Sequence, residues 1–417
     1  MKKGVKWLLP AAAALGMAVA APARAVDVKA GNWDLSITGN VNAFATYTRC
    51  GVANDAVVGG LACTKASGAP NTFAIESGLL PSAFVFTAKT RAYDLDVSAT
   101  IGLYPGLHVT ETRTGNGVDG DFAMDVRQNF LTFGDKGWGT VKLGKDLGLF
   151  GSDAILSDMT LLSVGAGTAG ATAAAGNILH NRNVTVGHIG SGYMYADWIP
   201  QIAYISPSFG GLQITLAVIE PFKNDPGDPT GTTAAVDLPG GQAKVTYDLT
   251  GPVSGRVWAG GMLQNRKFAN LANNPSLTSV AGELGVKVNA SGLGALAYGY
   301  YGKGIGTFAF NVLSAAVNTA GEPEGRKSYG FFGQVTYAIP NTKLRPGVSY
   351  GMSFLDKAGT DVDSTLVKSN AMITAALYYA ATDTLTLVAE FDHIRSKNHL
   401  DGLGKNNSGA LGAIMFF

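Results

Sequence analysis

Residues 279–290 read SVAGELGVKVNA, a stretch in which apolar and polar side chains alternate. Successive side chains of an extended chain point to opposite faces. One face of this stretch therefore carries Val280, Leu284, Val286 and Val288, and the other carries Glu283, Lys287 and Asn289. Strict alternation of this kind predicts a β-strand with one apolar and one polar face.

The same alternation recurs along the whole chain. It is clear in residues 34–48, 211–220 and 384–394, which read DLSITGNVNAFATYT, GLQITLAVIE and TLTLVAEFDHI. Sixteen such segments of roughly ten residues can be placed in this way. They begin near Trp33, Ser82, Leu95, Asp125, Gly139, Trp198, Gly211, Gly240, Val253, Thr278, Leu293, Ser328, Lys343, Thr365, Leu385 and Ser408.

The connections between these segments alternate between tight turns and longer loops that are polar or rich in glycine. An even number of strands with short turns at one end and long loops at the other is typical of an outer-membrane β-barrel. Closure of the barrel pairs every backbone group that lipid would otherwise leave unsatisfied. The alternative is a soluble β-sandwich, which seldom reaches sixteen strands in one unit. The sequence therefore predicts an all-β fold, a 16-stranded antiparallel transmembrane β-barrel.

The first 25 residues have the features of a secretory signal peptide. Lys2, Lys3 and Lys6 precede an apolar run over residues 8–21, and Ala23-Arg24-Ala25 resembles a cleavage site. We expect residues 1–25 to be removed and residues 26–417 to form the barrel domain. Without these four basic residues, 27 of the 31 basic residues remain against 30 acidic ones, a net charge of −3. This balance offers no case for nucleic-acid binding.

The chain contains two cysteines, Cys50 and Cys63, in a stretch rich in glycine, alanine and asparagine. In an exported protein, two neighbouring cysteines are more typical of a disulfide that closes a loop than of a metal or redox site. Free thiols remain the alternative, because the geometry of the pair is not visible in the sequence.

The sequence ends in SGALGAIMFF, with Leu411, Ala413 and Met415 on the same face as Phe417. This ending resembles that of Gram-negative outer-membrane barrels, in which a terminal Phe is read by the barrel assembly machinery. The resemblance implies that Phe417 is an assembly signal and that the last strand lies in outer-membrane lipid.

Residues 126–150, VRQNFLTFGDKGWGTVKLGKDLGLF, resemble the fourth and fifth strands of the general trimeric porins of Gram-negative bacteria. The resemblance implies an outer-membrane porin, a homotrimer whose water-filled pores pass ions and small hydrophilic solutes by passive diffusion, without a cofactor. A substrate-selective channel and a structural or adhesive barrel without conductance remain alternatives.

Residues 148–197 form an unusually long connection for a compact fold. In the porin family the matching third loop folds into the lumen and narrows the pore. The resemblance therefore implies that Asp153 and Asp158 face Lys142 and Lys145 across a constriction, which also includes Arg182.

The polar faces of the strands carry charges, and Arg or Lys facing lipid at mid-depth costs about 2–4 kcal/mol. We therefore expect these charges to line the lumen, with a weak overall preference for anions. They are Lys89, Arg91, Lys244, Arg256, Lys287, Arg345 and Lys368, with the acids Glu283, Glu390 and Asp392.

The sequence contains little that points to catalysis or metal binding. His180 and His188 lack a carboxylate or cysteine at ligand spacing, so a zinc site is not expected. The G-x-G-x-x-G at residues 165–170 lies in a glycine- and alanine-rich stretch without βαβ units around it. No nucleophile motif appears, and we expect neither an enzyme nor a bound cofactor or metal.

Overall fold

A computed structural model describes residues 26–51, 57–63, 71–107, 124–167, 184–222, 236–268, 271–359, 361 and 365–417. The signal peptide and Arg182 lie outside the described residues. No helix in the described ranges is long and apolar enough to cross a membrane. The strands are β1 (Val26–Ala30), β2 (Trp33–Cys50), β3 (Asn71–Glu76), β4 (Ala83–Ala92), β5 (Leu95–Pro105), β6 (Met124–Asp135), β7 (Gly139–Leu147), β8 (Trp198–Ile205), β9 (Leu212–Ile219), β10 (Gly240–Leu249), β11 (Ser254–Lys267), β12 (Ser276–Ala290), β13 (Leu293–Lys303), β14 (Ala315–Val317), β15 (Pro323–Gly325), β16 (Lys327–Tyr337), β17 (Leu344–Leu355), β18 (Val367–Ala380), β19 (Leu385–Asn398) and β20 (Leu403–Phe416).

The strands close into one antiparallel barrel. Each long strand pairs with the next along the chain, and β20 returns to pair with β2 through Asn40 opposite Phe416. Strands β3 and β4 both pair with β2 and act as one interrupted barrel strand. The short β1 pairs with the first part of β2, and β14 pairs only with β15. The predicted 16-stranded barrel is confirmed.

The two faces of the wall differ as the alternation predicts. In β12, Val280 and Leu284 are exposed on the outer face, whereas Ala281 and Glu283 are buried on the inner face. An outer face of exposed apolar side chains is suited to lipid. Tyr329 stacks between Tyr301 and Phe354, with ring centroids 6.3 and 4.9 Å apart. Aromatic residues on the outer face are typical of such barrels, in which they form girdles at the membrane interfaces.

The turns at one end are tight. Residues 291 and 292 join β12 to β13, with φ of 48° at Ser291 and 84° at Gly292. Positive φ at both central residues is the geometry of a two-residue hairpin turn whose twist matches the flanking strands. Short turns of this kind lie on the periplasmic side of outer-membrane barrels, and the long loops on the extracellular side.

Cys50 and Cys63 form a disulfide with Cα atoms 5.5 Å apart, as predicted. The bridge ties the end of β2 to a connection that turns inward. There Leu61 N donates to Asn370 Oδ1 of β18 (3.1 Å), and Ala62 N donates to Ser396 Oγ of β19 (2.9 Å). The bridge therefore holds a loop that packs against the barrel wall.

Candidate pore constriction

The described parts of the long connection, residues 148–167 and 184–197, contain a short helix α1 (Ser152–Ser157) and a 3-10 turn (Met159–Leu162). These parts, here called the constriction segment, contact side chains of the barrel strands. Gln334 of β16 accepts a hydrogen bond from Met159 N and donates one to Ser157 O, both 2.7 Å long. The wall therefore supplies hydrogen-bonding partners to backbone groups of this loop. Without such partners, these backbone groups would be left unpaired.

Two wall carboxylates hold further backbone groups of the constriction segment. Glu283 of β12 accepts from Gly151 N (2.8 Å) and from the hydroxyl of Tyr298 (2.8 Å). Glu390 of β19 accepts from Gly165 N (2.6 Å), from Val164 N (3.2 Å) and from Ser163 Oγ.

Both carboxylates are only 6% exposed. Glu283 and Glu390 lie on the inner face, but they contact the segment instead of lining a wet wall. Asp392 is fully buried and accepts from Thr374 Oγ1 (2.5 Å). The expectation of solvated wall charges does not match these three positions, because the protein buries all three carboxylates.

Small residues on the inner face of β17 let the constriction segment approach closely. A Cβ at Gly351 would lie 2.2 Å from Ser191 O, and one at Gly347 would lie 2.9 Å from Met159 Sδ. Between and beyond these glycines, Ser349 is hydrogen-bonded to His188 Nε2 (2.8 Å) and Ser353 accepts from Gly192 N (2.9 Å). The alternating Gly and Ser in RPGVSYGMS, residues 345–353, is the sequence signal for this contact.

Asp153 and Asp158 do not face Lys142 and Lys145. Asp153, in α1, pairs with Lys244 of β10 (2.5 Å) and Arg256 of β11 (3.2 Å). Burial alone would raise the pKa of Asp153, but Lys244 and Arg256 outweigh it and hold that pKa below its usual value. Asp153 is therefore a carboxylate neutralised by two wall cations.

Asp158 is an internal partner of the constriction segment. Its carboxylate accepts from the hydroxyl of Tyr193 (2.6 Å), from Thr160 N (2.8 Å) and from His188 N (3.3 Å). The contact with Thr160 caps the 3-10 turn. Asp158 is 4% exposed and joins the two described parts of the segment.

Lys142 and Lys145 lie on opposite faces of β7. Lys142 pairs with Asp146 (2.5 Å). Its partner residue in β8 is the buried Ala203, so Lys142 lies on the inner face. Lys145 lies beside the exposed Asn129 and Pro200 and donates to Val126 O (2.9 Å). Residues three apart on a strand cannot share a face, so the expected joint position of these lysines on the pore wall is wrong.

Three cations remain prominent on the inner face. Arg256 and Lys287 lie directly opposite each other in the β11–β12 pair, and Arg256 also binds Asp248 (2.6 Å). Arg345 of β17 lies over the ring of Tyr378, with 4.7 Å from its guanidinium carbon to the ring centroid. Within the described ranges, no carboxylate lies within 4.0 Å of the Arg345 guanidinium. Arg256, Lys287 and Arg345 therefore form a group of neighbouring cations on the inner wall.

The other predicted wall charges lie away from the constriction segment. Lys89 is opposite Asp34 in the β2–β4 pair. Arg91 lies at a short turn and pairs with Asp96 (2.7 Å) and Asp135 (3.1 Å). Lys368 is exposed at a register shift between Val367 and Ser369, which breaks the alternation used to place it on the inner face.

A second connection, residues 304–326, packs against the constriction segment and was not anticipated. Tyr195 N donates to Phe308 O (2.8 Å), and the ring of Phe310 meets that of Phe150 at 5.8 Å. Ile305 and Phe308 belong to the same buried apolar cluster. This run lacks period-two alternation, and the sequence therefore predicts only an ordinary loop here.

Metal-binding geometry is absent from the described residues, among which no three His, Cys, Asp or Glu side chains are grouped to hold an ion. His188 is buried against the ring of Phe332 (4.7 Å) and Ser349. His180 lies outside the described residues.

The family described as Gram-negative porin matches residues 11–399. No curated protein matches the chain.

Solved structures with a similar fold are porins and outer-membrane channels. The outer membrane channel DcaP of Acinetobacter baumannii has a TM-score of 0.68 and 18% identity, over 94% of this chain and 99% of that one. The anion-selective porin from Comamonas acidovorans has a TM-score of 0.59 and 14% identity, over 92% and 100%. A trimer form of OmpT from Vibrio cholerae, folded in vitro, has a TM-score of 0.53 and 12% identity, over 92% and 99%. These identities establish likeness of fold, whereas the family match spans most of the sequence. The chain belongs to the Gram-negative porin family and is an outer-membrane channel for passive diffusion of small solutes.

Proposed function

We propose that the constriction segment narrows the lumen of this porin and that the passage between the segment and the wall prefers anions. The segment contacts the inner faces of β10, β11, β12, β16, β17 and β19 through named hydrogen bonds and ion pairs. A segment bound at so many points leaves a permeating solute only the space between it and the rest of the wall.

The observation that supports the anion preference is that carboxylates near the constriction segment are either paired with cations or buried. Asp153 is neutralised by two cations, and Glu283 and Glu390 are buried against backbone amides. On this proposal, Lys287 and Arg345 set the sign of the field in the passage. Rings of charged side chains sort ions by sign at close range, although salt screens the field within about 10 Å at 0.1 M.

The test is the zero-current potential of the purified protein in a planar bilayer under a potassium chloride gradient. Replacing Lys287 and Arg345 together by Gln should shift this potential toward potassium, because the passage loses its main positive charges. Lys145→Gln is the matched control, since Lys145 lies on the outer face and should leave the potential unchanged. An equal shift in the control, or no shift in the double variant, would contradict the proposal.

We also propose that the protein assembles as a homotrimer, because a structural neighbour, the OmpT of Vibrio cholerae, is described in a trimer form. Electrophoresis of the unheated protein after chemical cross-linking should show a band of three chains. A band of one chain across a range of cross-linker concentrations would reject this assembly.

A further inference from the structure

Two connections at the extracellular end of the barrel meet, although the strands that they follow lie far apart. Residues 57–63 come after β2, and the second connection, residues 304–326, comes after β13. Six strand pairings separate β13 from β2 around the ring, through β16, β17, β18, β19 and β20. The connections still touch, because a Cβ at Gly59 would lie 2.4 Å from Leu313 Cδ1. A contact between connections of such distant strands spans part of the opening between them.

We propose that residues 57–63 and 304–326, here called the mouth lid, narrow the extracellular opening of this porin and limit the size of the solutes that enter. Arg326 is the positioning residue of the mouth lid, and its ion pair with Asp361 holds the lid in its narrow arrangement. The lid acts on a solute before the constriction segment does. It is therefore a filter by size, separate from the anion-preferring passage.

The guanidinium of Arg326 joins two extracellular connections. Its Nε donates to Asp361 Oδ2 and its Nη2 donates to Asp361 Oδ1, both at 2.7 Å. Its Nη1 donates to Leu313 O (3.0 Å), and Leu313 is the residue that meets Gly59. The planar fork of an arginine can hold both oxygens of a carboxylate at once, whereas a lysine ammonium is a point charge. Arg326 therefore fixes the position of Leu313 relative to the connection between β17 and β18.

Both members of this ion pair are largely withdrawn from water, with side chains 5% and 11% exposed for Arg326 and Asp361. Burial alone would raise the pKa of Asp361, but the hydrogen bonds from Arg326 and Ala358 N outweigh it and hold that pKa below its usual value. A second carboxylate supports the same junction, because Glu324 Oε2 accepts from Gly359 N (2.9 Å). Removing one partner of a buried pair leaves the other charge uncompensated, so the junction should open when either side chain is lost.

The mouth lid has further supports that do not depend on Arg326. Val58 N donates to Thr365 O (2.7 Å), and Gly59 O accepts from Asn370 Nδ2 of β18 (3.0 Å). The lid also rests on the constriction segment, since a Cβ at Gly190 would lie 2.6 Å from Phe308 Cδ2. Loss of the ion pair should therefore loosen the lid locally, while the strand pairs that close the barrel stay intact.

The experiment measures the single-channel conductance of the full-length protein while polyethylene glycols of increasing mass are added to one side of a planar bilayer. A polymer that enters the channel lowers the conductance, so the smallest polymer without effect gives the size limit of that side. The native protein should have a smaller size limit on the extracellular side than on the periplasmic side.

Arg326→Ala should raise the extracellular size limit and leave the periplasmic limit unchanged. Asp361→Ala should raise it equally, and the variant with both changes should show no larger shift, because the two side chains act as one pair. Arg326→Lys keeps the charge without the fork and should shift the limit less than Arg326→Ala. A general loss of structure would not produce this pattern of equal and non-additive shifts on one side.

Arg91→Ala is the matched control, because Arg91 also binds two carboxylates but lies at a short turn away from the mouth lid. Its extracellular size limit should equal that of the native protein. The heat-modifiable barrel band shows whether each variant is folded. If the Arg326 variants do not fold, the variant with Cys50→Ser and Cys63→Ser replaces them, since it frees residues 57–63 from the end of β2 and should also raise the extracellular limit. An unchanged extracellular limit in the folded variants, or an equal shift on both sides of the bilayer, would overturn the proposal.

Discussion

Single side chains of the wall hold the constriction segment, and Glu390 accepts hydrogen bonds from Val164 N, Gly165 N and Ser163 Oγ. Removing such an acceptor leaves buried donors without partners, which costs about 1–3 kcal/mol. Glu390→Ala should therefore loosen the segment near Ser163 and make it more sensitive to externally added protease. Glu390→Gln keeps an acceptor oxygen and should remain close to the parent. Equal protease resistance in the Ala variant would show that this contact does not hold the segment.

Residue roles were the least predictable part of the sequence. Alternation places Glu283, Arg256 and Lys287 correctly on one face, since it depends only on the period of the strand. It cannot show whether water or another segment covers that face, because the covering residues are more than one hundred positions away in the case of Gly151 and Glu283. Alternation also contradicts the prediction that Lys142 and Lys145 both face inward, because they are three residues apart. That prediction came from the resemblance to the family and was wrong.

At the scale of elements, β17 is the strand most closely adapted to the constriction segment. A Cβ at Gly351 would lie 2.2 Å from Ser191 O and 3.0 Å from His188 Nδ1. Gly351→Ala should therefore displace the segment around residues 188–192 and change the single-channel conductance. Gly333→Ala on neighbouring β16 is the control, because its Cβ would meet its nearest atom, Leu296 O, at an ordinary 3.5 Å. Identical conductance in the two variants would show that close contact with β17 does not position the segment.

The strands themselves were largely predictable because each has an exposed apolar face. Several predicted starts agree with the structure, including Trp33, Leu95, Gly139 and Leu293. The last strand begins at Leu403, ahead of the predicted Ser408, because its polar first residues pair with β19 without apolar alternation. The six-residue β3 was missed because a connection separates it from β4 in the same interrupted barrel strand, and β14 and β15 were missed because each has only three residues.

At the scale of the whole molecule, closure depends on the pairing of β20 with β2. Phe417 exchanges two backbone hydrogen bonds with Gly39 (2.9 and 3.0 Å), and its ring packs where a Cβ at Gly39 would lie. Deleting Phe417 should reduce the amount of heat-modifiable barrel in the outer membrane, through the lost contacts and the lost assembly signal. Phe417→Tyr keeps the aromatic ring and the backbone bonds and should assemble normally. Wild-type levels of the truncated barrel would remove Phe417 from both roles.

The passage through the barrel depends on the sum of these contacts, and its charge is the property that a single recording can test. In a planar bilayer under a potassium chloride gradient, the zero-current potential of the native protein should have the sign expected for a preference for chloride. The zero-current potential of the variant with Lys287→Glu and Arg345→Glu should have the opposite sign, which is expected for a preference for potassium. The reason is that two charges of the passage have changed sign. A native protein that prefers potassium, or a charge-reversed variant that still prefers chloride, would contradict an anion-selective passage between the constriction segment and this wall.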